Sequence, residues 1–215
     1  LGALLRHHSP EEAWRVVLGE LPSTGLVAKV LAQSDVRTMW RRCTRERPPD
    51  EIWARCLELG LTVLPYGHER YPAGLLDDPF PPPVLFVKGD LSLLAGRRVG
   101  IVGTRNATAA GREAARSLGL GLGTAGVHVV SGLARGIDGY AHRGVLASQG
   151  AGRPIGIVAS GLDVVYPREH RDLWEAAGNC GLLLSEAPPG VPPEPHRFPL
   201  RNRIVAALSE VLVVV

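Results

Sequence analysis

The chain has 215 residues and a mass of 22.9 kDa, enough for one sizeable α/β domain with a small satellite, or for two modest domains. Hydrophobic residues make up 45% and charged residues 21%, which excludes a disordered chain and a basic tail that coats nucleic acid. The net charge is only +3, and among the 24 basic residues only Lys29 and Lys88 are lysines.

Cysteine usage and hydropathy indicate the compartment. Cys43, Cys56 and Cys180 form no CxxC pair and are odd in number, which argues for a reducing, intracellular setting and against a zinc knuckle. No apolar stretch is long enough for a membrane span, and the apolar part of residues 1–8 is too short for a signal peptide. The sequence therefore predicts a cytoplasmic protein with no metal, cofactor or membrane partner. Because it starts at a leucine and ends in the apolar run 211–215 with no turn, it also predicts a fragment.

The first part of the chain has helical signals. Residues 9–12 have the form of a capping box, Ser-Pro-Glu-Glu, at the start of a helix. Further short helices are expected over 21–34 and 49–59, separated by the basic run 41–49. These elements predict a small helical domain over 1–59, and the basic run is more typical of a solvated helix face than of a binding patch.

The rest of the chain alternates strands and helices. Two lead-in strands joined by proline-stiffened turns are expected over 60–96. From residue 98 onward, strands are predicted at 99–102, 127–130, 155–159, 182–184 and 211–215, and helices at 107–124, 138–148, 168–177 and 201–208. Short, continuously apolar strands alternating with helices predict a Rossmann-like doubly wound, mainly parallel sheet over 60–215, and thus an α/β fold with a small N-terminal helical domain.

The loops after these strands share a composition. Glycine or serine follows every strand, and arginine stands near a helix start in three of the four loops. In such sheets ligands bind at the carboxyl ends of the strands, where helix N-termini and arginine forks can hold phosphate groups. Turn chemistry alone explains any single glycine. Arginine repeated along one edge favours an extended polyanion instead.

Three other patterns carry less weight. Residues 121–126 match G-x-G-x-x-G, but they follow a helix and precede a strand, so they indicate a helix end and not a dinucleotide site. Asp138 and His142 could share a metal, yet no third ligand lies nearby, and a capping Asp with a packed His is the more common arrangement. Glu186 could act as the carboxylate of a nucleotide or nucleoside-sugar hydrolase, which is the alternative function.

Taken together, the loop motifs resemble those of the family of DNA-processing protein DprA, also called Smf. The motifs are Gly103-Thr104-Arg105, Ser131-Gly132-Leu133-Ala134-Arg135-Gly136-Ile137-Asp138, Gly161-Leu162-Asp163-Val164-Val165-Tyr166-Pro167, Leu184-Ser185-Glu186 and Phe198-Pro199-Leu200-Arg201-Asn202-Arg203. The resemblance covers roughly 60–215. The helical part is similar to the family's small SAM-like domain only in size and helical character.

The resemblance implies a non-enzymatic protein of natural transformation that binds single-stranded DNA, protects incoming strands and loads the RecA recombinase on them. The implied DNA-binding residues are Gly103, Thr104, Arg105, Ser131, Gly132, Arg135, Gly136, Arg168, Arg201, Asn202 and Arg203. It also implies a homodimer in full-length members, whose dimer contacts and much of whose recombinase surface belong to a region beyond residue 215.

Charge is distributed unevenly along the chain. Residues 1–80 hold 10 basic and 11 acidic side chains, whereas residues 81–215 hold 14 and 10. The basic surplus therefore lies in the Rossmann-like part, where the resemblance places DNA.

Overall fold

A computed structural model describes Leu4 and residues 8–215 of the chain. Most of segment 1–8, in which no signal peptide is expected, lies outside the described residues. Four helices come first: α1 (Pro10–Leu18), α2 (Gly25–Leu31), α3 (Ser34–Glu46) and α4 (Pro49–Glu58). No helix within the described residues is both long and apolar enough to cross a bilayer.

The first helix starts as its sequence predicts. The Ser9 hydroxyl accepts from the Glu12 amide at 3.2 Å, and the Glu12 carboxylate accepts from the Ser9 amide at 3.0 Å, which completes the capping box. The expected helix over 21–34 is wrong in extent, because α2 ends at Leu31. The basic run expected to separate helices lies largely inside α3.

The helices divide between two cores. Buried side chains of α1 and α2 form one cluster, which includes Val16, Val17 and Leu31 and against which Trp40 of α3 packs. Cys56 of α4, in contrast, is buried with side chains of the sheet and its covering helix, such as Trp174. The last predicted helix of the N-terminal domain therefore packs on the sheet.

A seven-stranded sheet carries the rest of the molecule. Its strands are β1 (Thr62–Pro65), β2 (Val84–Gly89), β3 (Arg98–Val102), β4 (His128–Ser131), β5 (Pro154–Ile157), β6 (Leu182–Ser185) and β7 (Val211–Val214). Its helices are α5 (Ala109–Thr124), α6 (Ile137–Leu146), α7 (Arg171–Cys180) and α8 (Arg197–Ala207). The predicted α/β fold with a mainly parallel, Rossmann-like sheet is confirmed.

The strand order is β1-β2-β6-β5-β4-β3-β7. The pairs from β6 through β7 are parallel, whereas β2 runs antiparallel to both β6 and β1. Side chains of α5, α6 and α7 are buried against one face of the sheet, and side chains of α8 against the other. The connections that leave β5 and β6 therefore diverge to opposite faces, which opens a crevice at the carboxyl ends of these strands.

Candidate nucleic-acid interface

A groove occupies this crevice. It is lined by Arg105, Gly132, Ala134, Arg135, Val158, Ala159, Ser160, Tyr166, Pro167, Pro193, Phe198 and Arg201. These residues come from the loops after β3, β4, β5 and β6, so the loops that are far apart in sequence meet at one edge. The lining carries arginines and aromatic rings, and no Asp or Glu is among these described residues.

Arg105 and two aromatic rings form a stack at this groove. The guanidinium carbon of Arg105 lies 4.7 Å from the centre of the Phe198 ring, and the Tyr166 ring centre lies 5.7 Å from that of Phe198 at 46°. Tyr166 is 41% exposed. The arrangement offers a cation and a ring face to solvent at the same place.

Arg135 lies on the same groove, but an anion already contacts it. Its guanidinium donates to the carboxylate of Glu169, and both side chains are exposed. This contact lowers the pKa of Glu169, so the carboxylate is ionised at neutral pH. A phosphate that reaches Arg135 therefore has to compete with Glu169.

Arg201 lies beneath the groove and not on its surface. It is 4% exposed, and its Nη1 donates to the carbonyl oxygen of Gly132 at 2.7 Å and to that of Ile157. A side chain at Gly132 would lie 2.0 Å from the guanidinium, so only glycine fits there. Arg201 therefore braces the carbonyl groups at the ends of β4 and β5 through Nη1, and its expected phosphate contact stays a prediction that burial restricts to the floor of the groove.

The loop between β4 and α6 directs its backbone inward. The Gly132 amide donates to the Asp138 carboxylate at 3.1 Å, and the Ile137 amide donates to the Thr104 carbonyl at 3.2 Å. Burial raises the pKa of Asp138, against the opposing charge of Arg201. Gly136 has φ +71°, and a side chain there would lie 2.2 Å from the Thr104 carbonyl oxygen. The amides of Gly132 and Ile137 thus have partners within the protein and are not free to bind a phosphate, while phosphate binding by the rest of the loop stays a prediction.

Arg203 lies outside the groove lining, between two carboxylates. It contacts Asp78 at 2.8 Å and also Glu186. Burial raises the pKa of Glu186, and Arg203 opposes that shift. The arginine is therefore neutralised locally, and the carboxylate proposed for the alternative hydrolase is engaged in the same cluster.

The remaining predicted residues surround the groove. Arg168 is exposed in the turn Arg168–His170, and its side chain has no hydrogen bond or ion pair among the described residues. Asn202 is exposed and its amide oxygen accepts from Arg201 at 3.2 Å.

Ser131 is buried and donates to the Ile101 carbonyl at 2.6 Å. Gly103 and Thr104 form the turn after β3, where Thr104 is exposed.

The described residues do not provide a set of metal ligands. Among the residues that the structure describes, no group of three His, Cys, Asp or Glu side chains could hold a metal ion. His142 is fully buried, as a packed histidine, while Asp138 serves the loop amide.

The aromatic pair at the groove was absent from the predicted site. Phe198 opens the motif that contains Arg201, and Tyr166 directly precedes Pro167, so both are present in quoted motifs. From the sequence, stacking is only a weaker expectation for Tyr140 and Tyr166, because both could be core residues, and Phe198 is not singled out for it.

The chain is similar in sequence and in fold to known proteins. The sequence model of a family described as DNA recombination-mediator protein A matches residues 62–215. The DNA processing protein DprA of Bacillus subtilis (strain 168) is 43% identical over 165 residues, which cover 76% of this chain and 55% of that protein. The chain spans about half the length of the curated relatives it matches.

Two solved structures are similar. DNA processing protein A from Streptococcus pneumoniae has a TM-score of 0.71 at 32% identity, over 83% of this chain and 61% of that one. DNA processing protein A from Helicobacter pylori has a TM-score of 0.64 at 32% identity, over 72% of this chain and 68% of that one, and its structure is described for a unique single-stranded DNA binding mode.

Proposed function

The chain belongs to the DNA recombination-mediator protein A family, and from that membership we propose that it binds single-stranded DNA along the groove at the carboxyl edge of its sheet. The observation that carries the proposal is the stack of Arg105 and Phe198 beside Tyr166, with Arg135 on the same groove. A cationic groove with aromatic rings is what an unpaired strand requires, because its phosphates need charge and its bases expose ring faces.

Different side chains of the groove would contact different parts of the DNA strand. Arg105 and Arg135 would contact phosphate oxygens, and a base would stack on the exposed Tyr166 ring. Buried Arg201 adds positive charge beneath them, since its pKa, although lowered by burial, belongs to a guanidinium that stays protonated. Phosphate contacts carry no base information, so binding should depend little on sequence and steeply on salt.

Arg105 provides the direct test. Replacing Arg105 by Ala should weaken binding to all single strands by about tenfold and should reduce the salt slope by roughly 0.7, the value for one phosphate contact on a single strand. Fluorescence anisotropy with labelled oligonucleotides of two unrelated sequences measures both.

Arg97 is the matched control for this test. It precedes β3 at the opposite edge of the sheet and is 81% exposed, so Arg97→Ala removes the same charge far from the groove. We expect the affinity of Arg97→Ala to stay within about twofold of the parent, a change typical of one rim charge at distance. Equal binding by the Arg105 and Arg97 variants would refute the groove as the DNA site.

The proposed role is non-enzymatic. The groove lining offers no carboxylate, and Glu186 is held by Arg203 instead of facing a substrate. Release of free base from nucleoside monophosphates, abolished by Glu186→Gln, would instead establish the hydrolase alternative.

The wider role extends this binding to natural transformation in the cytoplasm, where the protein would protect incoming strands and load RecA on them. The family's description as a recombination mediator supports this step. Full-length protein, as a homodimer, should speed RecA ATP hydrolysis on strands already coated with single-strand-binding protein. If full-length protein binds the strand but does not speed RecA ATP hydrolysis, recombinase loading is removed from the proposal.

A further inference from the structure

Phe80 presents an aromatic ring to solvent. It is 80% exposed and lies in the segment 78–83, which has prolines at 79, 81, 82 and 83. The Phe80 amide donates to Asp78 at 2.8 Å, and the other oxygen of Asp78 accepts from Arg203 at 2.8 Å. Although burial favours the protonated carboxyl, these two contacts keep the pKa of Asp78 below its usual value. The ring is therefore displayed by a stiffened, anchored turn.

The segment 78–83 lies at the same edge of the sheet as the groove. Because β2 is antiparallel to β6, the chain that enters β2 at Val84 arrives beside the carboxyl end of β6, where Ser185 pairs with Phe86. Tyr66, directly after β1, donates to the Pro83 carbonyl at 2.9 Å at this edge. The edge with the arginine-bearing loops thus continues to Phe80.

The same helix links the groove and the Phe80 segment. Helix α8 carries Phe198 at its start, on the groove, and Arg203 further along, on Asp78. Four strand spacings separate β3 from β2 in the sheet, which is about 19 Å. At 3.4 Å per stacked nucleotide this distance corresponds to roughly six nucleotides of one strand.

We propose that Phe80 is a second base-stacking site for the single strand whose phosphates lie on Arg105 and Arg135. The inference rests on the proposed function and adds a site at the far end of the groove. Charge favours a base over a phosphate at this position, because the exposed carboxylate of Asp77 lies nearby in sequence and would repel a phosphate. Arg203 is already paired with Asp78 and Glu186, so it does not offer a free positive charge to a phosphate. Leu76, two residues before this segment, and Leu200 on α8 are exposed apolar side chains as well.

Strand length provides the test. With the twelve-nucleotide strand dT12, Phe80→Ala should lose about five- to tenfold in affinity, the effect of losing one stacked base. With dT2, which is too short to reach from Arg105 to Phe80 even when fully extended, the same variant should bind like the parent. Competition against a labelled dT12 in anisotropy measures both strands.

Two further variants make the result specific to the Phe80 ring. Phe80→Leu keeps apolar surface but offers no ring face, so it should lose nearly as much affinity as Phe80→Ala. Leu57→Ala, at a residue 64% exposed on α4, is the control for removing an exposed apolar side chain and should leave both affinities unchanged.

The outcomes separate this site from the groove itself. If Arg105→Ala weakens both strands while Phe80→Ala binds dT12 like the parent, the Phe80 site is wrong and the groove stands. Loss on dT2 equal to that on dT12, or full affinity in Phe80→Leu, would also overturn it. If Arg105→Ala changes neither strand, the proposed function itself fails.

Discussion

Competition between carboxylate and phosphate decides how strongly Arg135 can bind DNA. The Arg135 guanidinium contacts the carboxylate of Glu169, so an incoming phosphate replaces an existing partner and then lies near its negative charge. An exposed ion pair contributes little to folding stability. Its larger effect is expected on ligand affinity.

Glu169→Gln should therefore tighten binding of single-stranded DNA by about two- to fivefold at low salt, an effect that fades as salt screens the charge. Anisotropy titrations at two salt concentrations measure this change. Glu175→Gln, which removes a charge from another exposed position on α7, should have a smaller effect. The gain should also disappear in an Arg135→Ala background, and a gain that persists there would contradict direct competition.

Arg201 and Arg203 show why part of the site could not be predicted from sequence. The motif Arg201-Asn202-Arg203 lies within α8, and of its three residues Arg201 lines the groove. Which arginine faces solvent depends on partners far along the chain, such as Gly132 and Ile157 for Arg201 and Asp78 for Arg203. These contacts exist only once the sheet has formed, so residue spacing alone does not encode them.

At the level of elements, strands were easier to predict than helices. Every predicted strand of the parallel part agrees with the structure to within two residues at each end because its apolar run is bounded by glycine or polar residues. Helix α8, in contrast, begins at Arg197, four residues before the expected start, since Pro199 lies in its first turn where proline is tolerated. Helix α3 was obscured by its basic residues, which are typical of a solvated face.

The capping box of α1 allows the two cores to be tested as separate units. Ser9→Ala removes the side-chain acceptor of the Glu12 amide and should destabilise the helix by about 1 kcal/mol. Because α1 packs with α2 and α3 and not with the sheet, amide hydrogen exchange should quicken in these three helices and stay unchanged in β4 and β5. Equal acceleration in the strands would mean that bundle and sheet unfold as one unit.

At the scale of the whole molecule, the small net charge does not reveal how unevenly the charged side chains are distributed. The basic surplus of residues 81–215 is concentrated where the strands end, with Arg105, Arg135 and buried Arg201 at one groove. Some arginines are offset by carboxylates, as Arg97 is by Glu210, Arg143 by Asp172 and, at the groove, Arg135 by Glu169, whereas Arg105 and Arg201 have no such salt bridge among the described residues. Local placement, and not total charge, can therefore direct a polyanion to one edge.

Global stability should depend on pH through His142. The imidazole is fully buried in α6, and burial lowers its pKa to about 4, although backbone groups of Val129 and Ile155 favour the charged form. In the unfolded chain its pKa is near 6.5. Between these values the unfolded chain binds more protons at this position than the folded chain, so the free energy of unfolding falls as the pH is lowered from about 6.5 toward 4.

From pH 6.5 to pH 5 this histidine alone should remove about 1.6 kcal/mol of stability, because the slope starts at half of roughly 1.36 kcal/mol per pH unit, where the unfolded histidine is half protonated, and approaches the full value at lower pH. Urea unfolding of the parent and of His142→Gln at both pH values isolates the contribution, because every other titrating group is common to the two proteins and cancels in the difference. We expect the variant to be less stable at pH 6.5, since glutamine fills the buried space poorly, but to lose about 1.6 kcal/mol less on acidification. Parallel pH dependences would show that a different group, and not the buried imidazole, sets the acid sensitivity of the fold.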